Sequence, residues 1–133
     1  MWTCPECDRT FTRANQRHAC GTGERSAVLR DRPAHLVALY EHVEAFATSL
    51  GPVECVTRER YILFRSRRVF ADAVIMTDAL RLAIHLGRRV QRSAFIKVVE
   101  DGSQVTVVAK LRRLDELDAM LPFLREAYEH SLT

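Results

Sequence analysis

Four side chains able to ligate a metal lie within the first twenty residues of the sequence. Cys4 and Cys7 have the two-residue spacing that lets both sulfurs of a tight turn reach one ion, and His18 and Cys20 follow after ten intervening residues. Three thiolates and one imidazole would complete a tetrahedral zinc site with no position left for water. The sequence therefore predicts a structural zinc module over residues 1–21, whose folding depends on the metal.

The same side chains could instead remain free thiols beside a surface imidazole, or form a disulfide. The N-terminus lacks the pattern of a secretory signal, so we expect a reducing cytoplasmic location, where structural disulfides are rare. Thioredoxin-like redox chemistry is not expected, because no βαβ pattern surrounds the Cys4–Cys7 pair. The remaining cysteine, Cys55, lies in or near a strand and is predicted to be a small buried residue.

Arginines dominate the basic side chains, and they are unevenly distributed along the chain. The formal net charge is only +3, but residues 58–92 contain nine arginines and three acids, whereas residues 100–133 contain seven acids and four bases. Guanidinium groups clamp phosphates through forked donors, and zinc knuckles recur in nucleic-acid-binding proteins. Nucleic acid is therefore the leading candidate ligand, with candidate contacts at Arg13, Arg17, Arg65, Arg67, Arg68, Arg88 and Arg89.

Two other functions remain open. Aromatic residues alternate with the arginines, but Phe64 and Phe70 are expected in the core rather than on a stacking surface, which keeps a protein–protein interaction module as the main alternative. Asp72 and His85 lie on neighbouring predicted strands and, with Arg81, could support hydrolysis of a phosphodiester. No nucleophile elbow, phosphate loop or His-Glu-x-x-His motif accompanies them, so we expect a protein that is not an enzyme.

The pattern of apolar residues predicts a helix at each end of a β-rich region. Residues 33–50 carry an apolar stripe at helical spacing, opened by Pro33 and stopped by Gly51-Pro52. Residues 114–130 carry a second stripe, in which Pro122 predicts a helix start near Asp118 or a kink. No stretch of about 18 apolar residues occurs, so no membrane span is expected.

The middle of the chain predicts strands at residues 61–65, 69–76, 79–86, 95–99 and 104–111. Asp101-Gly102 predicts a tight hairpin between the last two. Short turns favour an antiparallel meander of about five strands without parallel crossovers. We therefore expect an α+β fold with both helices on one face of the sheet, divided into a zinc-binding module (1–21), a linker (22–32) and an α+β domain (33–133).

Three segments together resemble an uncharacterised bacterial family: "WTCPECDRTF…NQRHAC", "FADAVI…LRLAIHL…IKVV" and "LDELDAMLPFLREAYEH". Members of that family carry a domain of unknown function, some with a short zinc-finger-like N-terminus of the CPxC type. Asp8 stands where the family pattern has glycine, and aspartate is one of the few residues that tolerate a positive φ. The resemblance implies no established activity.

Overall fold

The computed structural model of the protein describes residues 1–3, 5, 10–15, 25–58 and 60–133. Numbered in chain order, the elements are β1 (Trp2–Thr3), β2 (Thr10–Phe11), α1 (Arg25–Leu29), α2 (Ala34–Ser49), β3 (Glu54–Thr57), β4 (Ile62–Arg65), β5 (Val69–Ile75), β6 (Leu80–Leu86), β7 (Phe95–Asp101), β8 (Gln104–Leu111), α3 (Leu114–Asp118) and α4 (Leu121–Ser131). β1 and β2 pair with each other in a small antiparallel sheet. The remaining strands form one larger sheet.

The larger sheet has the strand order β3-β4-β5-β6-β8-β7, and every neighbouring pair is antiparallel. The predicted α+β class with an antiparallel sheet is confirmed. The sheet has six strands rather than about five, because the short strand β3, which contains Cys55, pairs with β4 at one edge. Cys55 is half-buried and packs against the core.

The predicted meander is wrong for the last two strands. β7 follows β6 in the chain, but β8 lies between them, so β6 and β7 run in the same direction and residues 87–94 form a crossover along the sheet. Val90 in this crossover is buried in the core. The aliphatic side chains of β8 are buried, whereas Glu100 of β7 is exposed, so burial favours β8 in the interior position and β7 at the edge.

The helices follow the sequence pattern closely. α2 begins directly after Pro33 and ends just before Gly51, as predicted. The C-terminal stripe forms two helices that are separated ahead of Pro122, because proline fits the first turn of α4 but not the interior of one continuous helix. The Glu116 carboxylate accepts hydrogen bonds from the backbone N–H groups of Arg112 and Arg113, at 2.8 and 3.0 Å, and so fixes the start of α3.

Alternation of side chains divides the sheet into two faces. Leu80, Leu82, Ile84 and Leu86 of β6 point to one face, where they form a single core with the buried residues of α2, α3 and α4. Phe64 and Phe70 are completely buried in this core, which confirms their predicted place. Both long helices therefore pack on one face of the sheet.

The division of the chain into three segments stays a prediction. Within the stretch predicted as a linker, α1 places Val28 in the core, and Arg25 donates to Glu44 of α2 at 2.8 Å. No helix in the described part of the chain combines the length and the apolar character needed to cross a bilayer.

Candidate functional site

The outer face of the larger sheet, opposite the helices, carries the candidate site. The strand registers arrange its side chains in rows that run across the strands. The central row consists of Val56, Leu63, Asp72, Ala83 and Val108, one residue from each of β3, β4, β5, β6 and β8. On β3 to β6 and β8 the residues of the outer face include Val56, Leu63, Asp72, Val74, Arg81, Ala83, His85, Thr106, Val108 and Lys110. Ala83 and Val108 are directly opposed and buried, at 4 % and 2 % exposure, although they face away from the helices.

Two cations lie directly opposite each other on this face. Arg81 of β6 is the register partner of Lys110 of β8, and both side chains are partly exposed. Like charges at opposed positions of an antiparallel pair destabilise a sheet. Within the described residues, no carboxylate lies within 4 Å of either cation. The two cations therefore stand side by side without a direct ion-pair partner among the described residues, and a negatively charged group bound between them would stabilise the pair.

An exposed aromatic side chain continues the row of these cations. Val74 of β5 is the register partner of Arg81, and Tyr61 immediately precedes the β4 residue that pairs with Ala73. Tyr61 is 39 % exposed, whereas Phe64 and Phe70 are buried. This row therefore contains an accessible ring at Tyr61, an aliphatic side chain at Val74 and two cations at Arg81 and Lys110.

Asp72 and His85 are neighbours on the same face, as the sequence suggested. Asp72 lies opposite Ala83, and its Oδ2 is 3.9 Å from Nε2 of His85, beyond hydrogen-bonding distance. Among the described residues, neither buried ring nitrogen of His85 has a hydrogen-bond partner. Both side chains are mostly buried, and Thr106 lies directly across from His85.

Two surface clefts lie elsewhere. One, of about 370 Å³, is lined by the C-terminal part of α4 and by the residues that follow β6, including Arg88 and His130. The other, of about 330 Å³, lies beside the start of α4 and includes Phe46 and Arg125. Neither contains Asp72 or His85, so these clefts do not enclose the carboxylate–imidazole pair.

Five of the seven arginines predicted to contact nucleic acid gather at one end of the sheet. Arg65, Arg67 and Arg68 lie at the turn between β4 and β5, and this turn is next to the end of β6 because Ala71 pairs with Ile84. Arg88 and Arg89 follow β6 directly. The fold thus brings together five residues that are up to 24 positions apart in the sequence.

Most of these five arginines already have partners. Arg65 pairs with Glu54 at 2.9 Å, and Arg89 pairs with Glu100 at 3.0 Å. Arg68 donates to the backbone carbonyl of His130 at 2.9 Å, where it caps the C-terminus of α4.

The Arg88 guanidinium donates two hydrogen bonds to the Glu126 carboxylate, of 2.9 and 2.8 Å, and these bonds raise the pKa of the guanidinium. Arg67 is exposed and, in the described part of the chain, makes no ion pair. Acids from distant segments thus neutralise three of the five arginines.

The sequence predicted two arginine contacts and a zinc site in the N-terminal segment. Arg13 is exposed, whereas Arg17 and all four predicted zinc ligands, Cys4, Cys7, His18 and Cys20, lie outside the described residues. Among the described residues, no three His, Cys, Asp or Glu side chains are grouped so as to hold a metal. The zinc site therefore stays a prediction.

Lys110 is the functional candidate that the sequence patterns did not single out, and Arg81 was considered only as part of a catalytic group. Both occupy polar positions of alternating strands, which is the usual pattern of a solvated face. Their pairing depends on the register of β6 with β8, which no local pattern specifies.

Comparison with known proteins identifies the family to which the chain belongs. Residues 26–131 match the family described as Domain of unknown function (DUF5655). No curated protein and no solved structure matches the chain.

Proposed function

We propose that this chain, a member of the DUF5655 family, is a non-enzymatic module that binds single-stranded nucleic acid on the outer face of its sheet. The observation that carries the proposal is the opposed pair of Arg81 and Lys110, for which no described carboxylate lies within 4 Å of either side-chain cation. Phosphate is the ligand chemistry that such a pair fits, because two adjacent cations can share its negative charge.

The aromatic end of the same row supports an unpaired strand as the ligand. Bases that are not paired can stack on an exposed ring, and a sheet face with aromatic and basic residues is a common platform for single strands. Tyr61 supplies the ring, and Val74 lies between it and the cations. We therefore place a base against Tyr61 and phosphates against Arg81 and Lys110.

A structural zinc site remains part of the proposal. We propose that Cys4, Cys7, His18 and Cys20 hold one zinc ion, which fixes the N-terminal module but takes no part in a reaction. The antiparallel pairing of Trp2 with Phe11 and of Thr3 with Thr10 supports this arrangement, because it brings together the residues that precede Cys4 and those that follow Cys7 in the sequence. A module this small needs the metal because it cannot bury enough apolar surface on its own.

The arginines at the end of the sheet (Arg65, Arg67, Arg68, Arg88 and Arg89, here called the loop arginines) are weaker candidates for phosphate contact than Arg81 and Lys110 on the outer face. A guanidinium that already binds a carboxylate has to give up that bond before it can hold a phosphate, and Arg65, Arg88 and Arg89 are all in this position. Arg68 already donates to the carbonyl of His130, which leaves Arg67 as the one of these five arginines without a hydrogen bond or ion pair in the described part of the chain. The proposal therefore gives the main phosphate contacts to Arg81 and Lys110.

Binding of a protein partner is the second candidate function. It is favoured by the partly exposed side chains of Val56, Leu63 and Val74, which give the outer face an apolar part next to its cations. Apolar contacts would survive an increase in salt, whereas phosphate contacts would weaken steeply. The salt dependence of binding therefore separates the two functions.

The test is fluorescence anisotropy with labelled single-stranded DNA and RNA oligonucleotides at low and moderate salt. We expect the double variant Arg81→Ala/Lys110→Ala to bind about tenfold more weakly at low salt. Its slope of log affinity against log salt should fall by about 1.4, at roughly 0.7 per phosphate contact. Tyr61→Ala should weaken binding with little change in that slope.

Two double variants of equal charge serve as controls. Arg30→Ala/Arg32→Ala removes two cations from the turn between α1 and α2 and should leave binding almost unchanged. Arg67→Ala/Arg89→Ala tests the loop arginines directly. If that variant loses affinity while Arg81→Ala/Lys110→Ala does not, the contact lies at the end of the sheet. If the unsubstituted chain binds no oligonucleotide even at low salt, the nucleic-acid function is excluded.

A further inference from the structure

β7 is an edge strand: among the strands of the described residues, only β8 pairs with it, along one of its two edges. Two large apolar side chains are well exposed along it, Ile96 at 57 % and Val99 at 41 %. Unpaired backbone groups beside exposed apolar side chains form a template for pairing with another strand. The opposite edge, β3, has only four residues, so β7 is the longer edge.

The charges on β7 are arranged symmetrically about Val99. Lys97, Val99 and Asp101 pair in register with Val108, Thr106 and Gln104, so all three point to the outer face. Neither Lys97 nor Asp101 has an ion-pair partner within 4 Å in the described part of the chain. A cation and an anion thus stand at equal distances on either side of an exposed valine.

We propose that a second copy of this chain pairs with β7, antiparallel and with Val99 on the two-fold axis. In this register Val99 lies opposite the partner's Val99, and Lys97 lies opposite the partner's Asp101. The symmetry repeats the second contact, so each dimer gains two ion pairs around an apolar centre. The two sheets become one continuous sheet.

The side-chain faces select this register. Directly opposed residues of an antiparallel pair share a face, so the symmetric registers are those centred on a residue. Centring on Val98 would oppose Lys97 to valine and leave both charges unpaired. Centring on Val99 pairs both charges and brings Val98 opposite Glu100.

The irregular part of β7 does not interfere with this pairing. The register of β7 with β8 shifts between Phe95 and Lys97, and a bulge of this kind disturbs pairing locally. The proposed contact uses residues 97–101, which follow the shift and pair regularly with β8. The bulge therefore limits the length of the contact but not its register.

The first test is a symmetric disulfide. In the proposed dimer the two Val99 Cα atoms lie about 4.5–5.5 Å apart, within the range that a disulfide spans. Val99→Cys should therefore give a covalent dimer under mild oxidation. Ile96→Cys is the matched control, because its side chain is also exposed but the two copies would be about 20 Å apart along the strands. The unsubstituted chain under the same oxidant gives the background from its native cysteines.

The second test is a charge exchange followed by analytical ultracentrifugation. Lys97→Asp and Asp101→Lys each create two like-charge contacts per dimer and should weaken dimerisation about tenfold. The double variant Lys97→Asp/Asp101→Lys restores opposite charges and should dimerise like the unsubstituted chain. A circular dichroism spectrum for each variant establishes that it is folded.

Three results would overturn the proposal. The first is an unsubstituted chain that remains monomeric over the full concentration range. The second is a folded double variant that stays as weak as the single variants. The third is a Val99→Cys protein that cross-links no more than Ile96→Cys, which would leave β7 to a different partner or to none.

Discussion

Tyr40 donates its hydroxyl hydrogen to the carboxylate of Glu44 at 2.7 Å, one turn further along α2. Arg25 of α1 donates to the same oxygen at 2.8 Å, so one carboxylate joins two helices. Burial, followed by the hydrogen bond to Glu44, raises the pKa of Tyr40 well above its ordinary value. Burial also raises the pKa of the Cys55 thiol, and the negative charge of Glu44 acts in the same direction.

The buried phenol predicts a loss of stability in alkaline solution. The unfolded chain releases the Tyr40 proton near pH 10.0, whereas the native state retains it. The free energy of unfolding should therefore be unaffected by this group below that pH and fall above it, by up to about 1.4 kcal/mol per pH unit. Urea unfolding at a series of pH values measures the slope. Tyr40→Phe should make it shallower, and an unchanged slope in this variant would contradict the role of the buried phenol.

The cap on α4 predicts different effects for two adjacent arginines. Arg68→Ala removes the hydrogen bond to the carbonyl of His130 and a positive charge from a helix C-terminus, so it should lower the free energy of unfolding by about 1 kcal/mol. Arg67→Ala, in the same turn, should change it by less than about 0.5 kcal/mol. Chemical denaturation of both variants tests the difference. Equal effects would mean that the cap contributes nothing.

Close approach of the backbone to a buried ring predicts a cost for a methyl group at residue 51. A Cβ on Gly51 would overlap the hydroxyl oxygen of Tyr128. The Tyr128 ring is buried and packs edge-on against Phe70, with the ring centroids 5.6 Å apart, which opposes its displacement. Gly51→Ala should destabilise the fold by about 2 kcal/mol. Adding Tyr128→Phe removes the overlapping oxygen and should recover part of that loss. Strictly additive effects of the two substitutions would contradict the steric explanation.

The proposed zinc site predicts a modular response. Cys7→Ser should abolish zinc binding and unfold residues 1–21 while the α+β domain stays folded, because the module depends on metal and the domain has its own core. Elemental analysis gives the zinc content, and circular dichroism follows the domain. Cys55→Ser, outside the module, should retain the metal. Loss of the whole fold in Cys7→Ser would contradict the modular organisation.

The sequence predicted those elements whose signals are local. The stripe of α2, the alternation of β6 and the tight turn at Gly102, which has a positive φ of 64°, are all confirmed in the structure. Each depends on residues that are close together in the chain. β3 was not predicted as a separate strand because four residues are too few to establish a period.

The features that the sequence did not predict are long-range. Counting arginines indicated a basic region, but Glu54, Glu100 and Glu126 from other elements pair with three of its arginines. The opposed pair of Arg81 and Lys110 results from the registration of two strands that are separated by the whole of β7. Patterns within one strand show which face a side chain occupies, not which residue it meets.

The crossover of residues 87–94 also governs how the sheet is assembled during synthesis. β3, β4, β5 and β6 pair with neighbours in the chain and can form as soon as they leave the ribosome, but the free side of β6 has to wait for β8. Until then β6 is itself an unprotected edge with a leucine-rich face. We expect the nascent chain to be most vulnerable to aggregation in this interval, which ends when the β7–β8 hairpin docks.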